Sequence, residues 1–290
     1  MPTLNRRIQN FYDTSSSLWE KVWGEHMHHG YYATGETNLT KDRRQAQIDL
    51  IEEILIWALP KHQLPSLDPA PKILDVGCGI GGSSIYLAQK YSADRAQVTG
   101  LTLSPVQAAR ASQRAIENKV NDRTGFQVAD AMAMPFDDHS FDLIWSLESG
   151  EHMPDKAEFL RECYRVLKPG GRLIFVTWCH RPTSDRPLSK DEQQHLQRIY
   201  DVYCLPYVIS LPEYAAIARS LNFQQLKTAD WSAQVAPFWD EVIDSAISIN
   251  SAIGLLQAGL PSIIAALSLR QMARGYERGL VKFGLLTAVK

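Results

Sequence analysis

Cysteine is scarce and scattered. The four in the chain, Cys78, Cys163, Cys179 and Cys204, form no CxxC pair. Neither a disulfide framework nor a structural zinc site is therefore expected, and a reducing compartment is the default. Long apolar runs are missing as well. A bilayer span needs ~18 uninterrupted apolar residues, and the nearest approach, 246–267, is broken by Asn250, Gln257 and Pro261. The first residues, MPTLNRRIQNFYD, hold no apolar signal core and are too short for a transit peptide, which leads to the expectation of a soluble intracellular protein. Nor does charge of one sign dominate. Thirty basic against 32 acidic side chains leave a formal net charge of −2, which argues against a nucleic-acid partner held by bulk electrostatics. No internal repeat or low-complexity tract is present.

What is there is ordinary globular composition, 45% hydrophobic and 21% charged, which excludes a disordered or fibrous chain. The 290 residues correspond to about two domains at roughly 150 residues each. Within 39–59, apolar Ile48, Ile51, Leu55 and Leu59 fall at helical spacing after a Thr40 cap, and the helix ends by Pro60. Pro60, Pro65, Pro69 and Pro71 make the following connector the best boundary in the chain.

From Lys72 onward short apolar strands alternate with helical segments. KILDV, QVTGLTLS, FQVAD, FDLIWS and RLIFVTW read as five strands. Helices are expected from about Ser83 to Tyr91, over PVQAARASQRAIENK, and over KAEFLRECYRVLK up to Pro169-Gly170-Gly171. This alternation implies an α/β fold built of βαβ units, a parallel sheet with helices on both faces. FQQLKTADW and GLVKFGLLTAVK add two later strands, and a helical stretch is expected over much of 237–275. The division is 1–70 as a helical lid, 71–180 as the α/β core, 181–220 as a cap insertion, and 221–290 as strands and helices completing the sheet and the substrate groove.

Between the first strand and its helix stands Asp75-Val76-Gly77-Cys78-Gly79-Ile80-Gly81-Gly82. Glycines let a backbone turn sharply and approach a ligand closely. A dinucleotide site would read GxGxxG. Here the spacing is GxGxGG, with an aspartate two residues ahead. A carboxylate there suits a ligand carrying an ammonium rather than phosphates, and S-adenosylmethionine is such a ligand. A tight turn holding no ligand is the plain alternative.

LDVGCGIGGSS resembles the first motif of class I S-adenosylmethionine-dependent methyltransferases, whose Rossmann-like sheet has seven strands with the last antiparallel. FQVADAMAMPFDDHSFDLIWS is similar to the segment in which an aspartate meets the adenine. The resemblance assigns that place to Asp130, with Ala131 beside it, and gives Asp75, Gly77, Gly79, Gly81 and Tyr12 to the cofactor. RVLKPGGRLIF is similar to the turn before the fifth strand. One departure stands out. Many such enzymes carry an acidic residue at the end of the second strand for the ribose hydroxyls, but here the strand ends Gly100-Leu101-Thr102-Leu103-Ser104-Pro105. Thr102, Ser104 or Gln107 is left to serve, although Ser104-Pro105 is also a plain helix start.

At the end of the fourth strand, Glu148, Glu151 and His152 lie in SLESGEHMPD, where ligands of open α/β sheets bind. The segment from Phe11 to Tyr32 is rich in aromatics and histidines. Trp19, Trp23, His26 and His29 are expected to form an aromatic lid over the substrate rather than a metal site, and Trp178 and His180 are added from the fifth strand. No metal is expected, since methyl transfer from a sulfonium needs none. FYDTSSSLWEKVWGEHMHHGYY, LTLSPVQAARA, LESGEHMPDK, FVTWCHR and ADWSAQVAPFW look like the γ-tocopherol C-methyltransferases of photosynthetic organisms, nearly end to end. The resemblance implies methylation of a chromanol ring carbon, from γ- to α-tocopherol and δ- to β-tocopherol, with S-adenosylhomocysteine as the second product. His152 is the first choice of base, then Glu148 or Glu151. The partner is a small lipophilic phenol, collected through peripheral membrane contact, with its tail between the lid and 181–260. A bacterial, cyanobacterial cytoplasm is the expected location, or a plastid if the chain is a trimmed plant protein. Related enzymes methylate indole-alkaloid nitrogen or a methyl-phytyl-benzoquinol, and a non-catalytic S-adenosylmethionine binder is the reading from another class.

Overall fold

The computed structural model describes residues 3–37, 40–59, 63–65, 70–239 and 269–290. Seven strands form one sheet: β1 (Lys72–Val76), β2 (Gln97–Thr102), β3 (Thr124–Val128), β4 (Phe141–Leu147), β5 (Leu167–His180), β6 (Gln224–Asp230) and β7 (Val281–Val289). Their order is β3-β2-β1-β4-β5-β7-β6. The first five are parallel, and β7 runs antiparallel to both of its neighbours. Strands covered on both faces need continuous apolar runs. β4 is buried at every position. Ile73, Leu143 and Ile174, on β1, β4 and β5, are each 0% exposed, and burial of such side chains contributes ~1.5–3 kcal/mol apiece.

Helices α3 (Gly82–Lys90), α4 (Pro105–Glu117) and α5 (Lys156–Val166) follow β1, β2 and β4. Ser104 caps α4 through Gln107 N, with proline in the first turn. Asp155 caps α5 through the amides of Ala157 and Glu158. These caps satisfy helix-start amides that otherwise have no partner. Ahead of the sheet lie α1 (Leu4–Trp23) and α2 (Arg43–Ala58). The start of α2 corrects the expected Thr40 cap: Asp42 is the N-cap, its carboxylate accepting from Gln45 N. β5 also extends beyond RLIFVTW at both ends: Leu167 pairs with Phe141 of β4 at its start, and β7 pairs with it as far as His180.

The 181–220 insertion holds α6 (Lys190–Tyr203) and α7 (Leu211–Ser220). A short α8 (Ser232–Val235) follows β6. Of the helical stretch expected over 237–275, residues 240–268 lie outside the described residues, and 269–277 is helical. The strand order reverses between β2-β1 and β4-β5, which places a ligand crevice at the carboxyl ends of β1 and β4.

Candidate active site

The loop after β1 is shaped by what its glycines exclude. Gly77 has φ +80°, and a Cβ there would lie 2.2 Å from Ser149 Cβ, so a side chain is barred by backbone and by space. Gly79, at φ +52°, faces open room with only Met27 Sδ at 3.9 Å. Gly81 does different work. It caps α3 in the left-handed region, and a Cβ would meet Ala111 and Phe126 at 3.0 Å, so its smallness brings α3, α4 and β3 together. Asp75 is buried on β1 and accepts from Ser84 Oγ at 2.6 Å. Burial pushes its carboxyl up to about 7, against the pull of the Ser84 bonds.

Across the crevice, Thr102 Oγ1 donates to Gln107 Oε1 at 2.8 Å, and Ser104 Oγ donates to Asp13 of α1. An acidic residue does therefore stand near the end of β2, supplied by α1 rather than by the strand. Asp130 accepts from Met132 N at 2.9 Å and from Asn5 Nδ2 at 2.6 Å. Ala131, Thr102, Ser104 and Gln107 line the same cleft as Asp75, Gly77 and Gly79. Helix α1 lies across this cleft, fastened by Asn5 and Asp13 and, further along, by Glu20 to Arg110 at 2.6 Å.

The far wall comes from the end of β4. Glu148 has φ +53°, and its carboxylate takes three donors: His29 N and His29 Nδ1, each at 2.7 Å, and Trp178 Nε1 at 3.0 Å. Burial alone would raise this carboxyl, but the His29 contacts outweigh it and hold it below its ordinary value. Glu151 and His152 sit on a single 3-10 turn, Gly150–His152. Lys156 Nζ donates to the carbonyls of Gly150 and Glu151 at 2.9 and 3.0 Å, which fixes that turn. Thr177 Oγ1 donates to Glu151 Oε2 at 2.7 Å. Burial, then the charge of Glu148, push the Glu151 carboxyl up to about 7.

His152 Nε2 shares a 2.7 Å hydrogen bond with the Tyr12 hydroxyl. Burial, with Lys156 adding to it, drives the imidazole down to about 3. Burial, then Glu151 and Glu148, raise the Tyr12 phenol. Both groups are thus neutral near pH 7, and His152 Nδ1 is buried without a partner among the described residues. An imidazole held this far below its ordinary value is a weak base, and its Nε2 is already engaged by Tyr12.

A second, smaller cavity adjoins the cofactor cleft. Tyr12, Met27, Glu148 and His152 border both, so they form the partition. Trp23, Trp178 and Glu151 line the smaller cavity together with Phe11 and Tyr203. Of the other expected substrate residues, His26, His29 and His180 line neither cavity. His29 is 0% exposed, packed against the rings of Trp23, Trp178, Phe238 and Trp239. His26 packs against the His28 and Tyr86 rings, and Gln47 of α2 binds the backbone carbonyls of His26 and His28. His180 borders neither cavity; its Nδ1 contacts Arg181 O at 2.7 Å. Trp19 belongs to α1, and its side chain lies outside the described residues. The expected tail groove over 181–260 is in part outside them too. Sequence reasoning missed Asn5, Asp13, Met27, Thr177 and Lys156; only the acidic gap at the end of β2 hinted at Asp13.

A family described as a methyltransferase domain matches residues 74–175. The chain is 49% identical, over 100% of itself and 79% of the relative, to a probable chloroplastic tocopherol O-methyltransferase of Oryza sativa subsp. japonica. It is 45% identical, over 99% of itself and 82% of the relative, to the chloroplastic tocopherol O-methyltransferase of Arabidopsis thaliana. The chain belongs to the tocopherol methyltransferase family. This family sits among the class I S-adenosylmethionine-dependent methyltransferases, and a further member of the match is 2-methyl-6-phytyl-1,4-hydroquinone methyltransferase of Synechocystis, 36% identical over 98% of this chain and 87% of that one. Among solved structures, the [4+2]-cyclase SpnF superposes with TM-score 0.79 at 26% identity, covering 100% of this chain and 97% of that one. Geranyl diphosphate C-methyltransferase from Streptomyces coelicolor, solved with S-adenosylhomocysteine, shares the fold at TM-score 0.76 and 20% identity, over 99% and 98% of the two chains.

Proposed function

We propose that this member of the tocopherol methyltransferase family transfers a methyl group from S-adenosylmethionine to a chromanol ring carbon, converting γ- to α-tocopherol and δ- to β-tocopherol. The observation that carries the reading is the pair of cavities sharing one partition, a glycine-floored cleft on one side and an aromatic chamber on the other. The cleft suits a cationic nucleoside. Asp75 and Asp130 stand on its walls, and no Lys or Arg is among the described residues that line it, so a ligand with phosphates finds no cation there. S-adenosylmethionine, when bound, supplies a methyl group on a sulfonium and leaves as S-adenosylhomocysteine.

The chain's own residues do the rest. Asp75 would hold the ligand's ammonium, Asp130 and Ala131 its adenine, and Asp13 through Ser104 its ribose. Helix α1 covers the cleft and excludes water. Phe11, Trp23 and Trp178 hold an aromatic ring against the partition, where positioning supplies much of the acceleration. A phenol has a pKa near 10, so a base at its hydroxyl makes the ortho carbon more nucleophilic. The acceptor is a neutral lipophilic phenol, not a nucleic acid. No described helix is long and apolar enough to cross a membrane; the lipophilic tail of the acceptor is what places its uptake at a membrane surface. Two plant relatives are named as chloroplastic, and a plastid or cyanobacterial setting fits both them and the Synechocystis relative.

Labelled S-adenosylmethionine offered with γ-tocopherol, δ-tocopherol, 2-methyl-6-phytyl-1,4-hydroquinone and an indole alkaloid tests this directly. Label on the chromanol ring carbon, located by NMR of the product, is the expected result. A methyl ether would place the reaction on oxygen, as the plant relatives' names put it. Label on the alkaloid nitrogen alone would sink the phenolic reading.

A further inference from the structure

Three groups lining the smaller cavity are able to take a proton, and their partners separate them. Glu148 already takes three donors from His29 and Trp178, and His152 shares its Nε2 with the Tyr12 hydroxyl. Glu151 lines the aromatic chamber, and among the described residues its one side-chain donor is Thr177. Thr177 is 0% exposed and held in the sheet by its pairing with Gly284 of β7. The turn carrying Glu151 presses directly on it: a Cβ on Gly150 would lie 2.3 Å from Phe175 and 3.0 Å from Thr177 Oγ1. From the other side, Lys156 binds the carbonyls of Gly150 and Glu151. The carboxyl is therefore held by a rigid strand and a capped turn, with one edge toward the chamber.

We propose that Glu151 accepts the hydroxyl proton of the phenolic acceptor and that Thr177 positions its carboxylate to do so. The assignment rests on the reading of the chain as a phenol methyltransferase. The acceptor's O–H bond breaks and its proton passes to Glu151. The electron pair left on oxygen is delocalised onto the ortho carbon, which bonds to the methyl carbon as the methyl–sulfur bond breaks with its pair staying on sulfur. The ortho C–H bond then gives its pair back to the ring and its proton to water. Glu151 returns its proton to oxygen, so one proton leaves in all.

The charged and titratable groups facing Glu151 are Glu148 at the end of β4, Tyr12 on α1, Lys156 on α5, Cys179 on β5, Tyr214 on α7, Tyr276 on 269–277 and the adjoining His152. Burial and Glu148 raise its carboxyl, while Thr177 and Lys156 lower it, leaving it at about 7. The base works as the carboxylate, so kcat rises with pH through the neutral range. Removing the Thr177 hydroxyl removes a lowering influence and moves that limb upward.

The test is kcat against pH for the full chain with γ-tocopherol in detergent micelles, beside calorimetric affinity for S-adenosylhomocysteine. Thr177→Val is expected to raise the acidic limb by roughly one unit and to cut kcat at pH 7 about fivefold, with Thr177→Ser restoring both. Glu151→Gln is expected to lower kcat by about 10²–10⁴-fold, with S-adenosylhomocysteine affinity kept within about twofold in all three variants. If Glu151→Gln does not fold, the Val and Ser pair decides. A wild-type phenol methylase whose variants keep both the limb and kcat overturns the assignment of Glu151 and Thr177 alone. A wild-type protein that binds S-adenosylhomocysteine and methylates no phenol overturns the functional reading, and this assignment with it.

Discussion

Glu148 shows how one side chain with a catalytic address is turned to structural use. It adopts φ +53°, a conformation that non-glycine residues reach only when their surroundings hold them there. Here the surroundings are the three donors from His29 and Trp178. Removing the donors of a buried carboxylate leaves its charge uncompensated and is strongly destabilising. His29→Leu is therefore expected to lower unfolding stability by about 3 kcal/mol, read by urea denaturation; a loss near zero would mean the contact contributes nothing net. Asp75 gives a pH-dependent counterpart. Its carboxyl is raised to about 7 in the free protein, whereas a bound ammonium favours the carboxylate. Below that value binding must expel a proton, so affinity for S-adenosylmethionine should strengthen as pH rises through 7 and level off above it. Calorimetry in two buffers of different ionisation enthalpy would show the released proton, and Asp75→Asn should abolish both the slope and most of the affinity.

Helix α1 is the element whose role is least visible in the chain's own pattern. Its bonds to the core join residues 125 positions apart for Asn5–Asp130, 140 for Tyr12–His152 and 91 for Asp13–Ser104. Periodicity and motif spacing act over one or two elements, which is why the strands, the β1 loop and Asp130 were legible while Asn5 and Asp13 were not. Thr177 and Lys156 escaped for a related reason: their significance lies in what β5 and α5 bring against the Gly150–His152 turn. The histidines of HMHH misled because composition suggested a binding lid, whereas Gln47 and the surrounding rings absorb most of that segment into the core. Since the helix carries Asn5 and Tyr12 among the polar groups lining the cleft, fastening and binding should be coupled. Asp13→Ala is expected to weaken S-adenosylhomocysteine about tenfold, or about 1.4 kcal/mol, measured by calorimetry. Hydrogen exchange of the α1 amides should slow on adding the same ligand, and an unchanged rate would show the helix indifferent to it.

At the scale of the whole molecule, one seven-stranded sheet serves as the platform for a cleft at its carboxyl edge, with α1 over it and the 181–220 helices alongside. A ligand bound only by the folded form stabilises it by mass action. S-adenosylhomocysteine at a hundredfold excess over its Kd should add about 2.7 kcal/mol and raise Tm by roughly 4–8 °C, read by calorimetric scanning. No shift would mean that the cleft does not hold this ligand. The position of β7 has a consequence in time. It is the last of these seven strands to be synthesised, yet it lies inside the sheet, between β5 and β6. Until residues 281–289 clear the ribosome, β5 presents an unpaired edge and β6 has no neighbour to join. A chain stalled just short of them would carry an open, apolar strand border of the kind that seeds aggregation. The nascent protein should therefore depend on chaperone shelter until the final strand arrives.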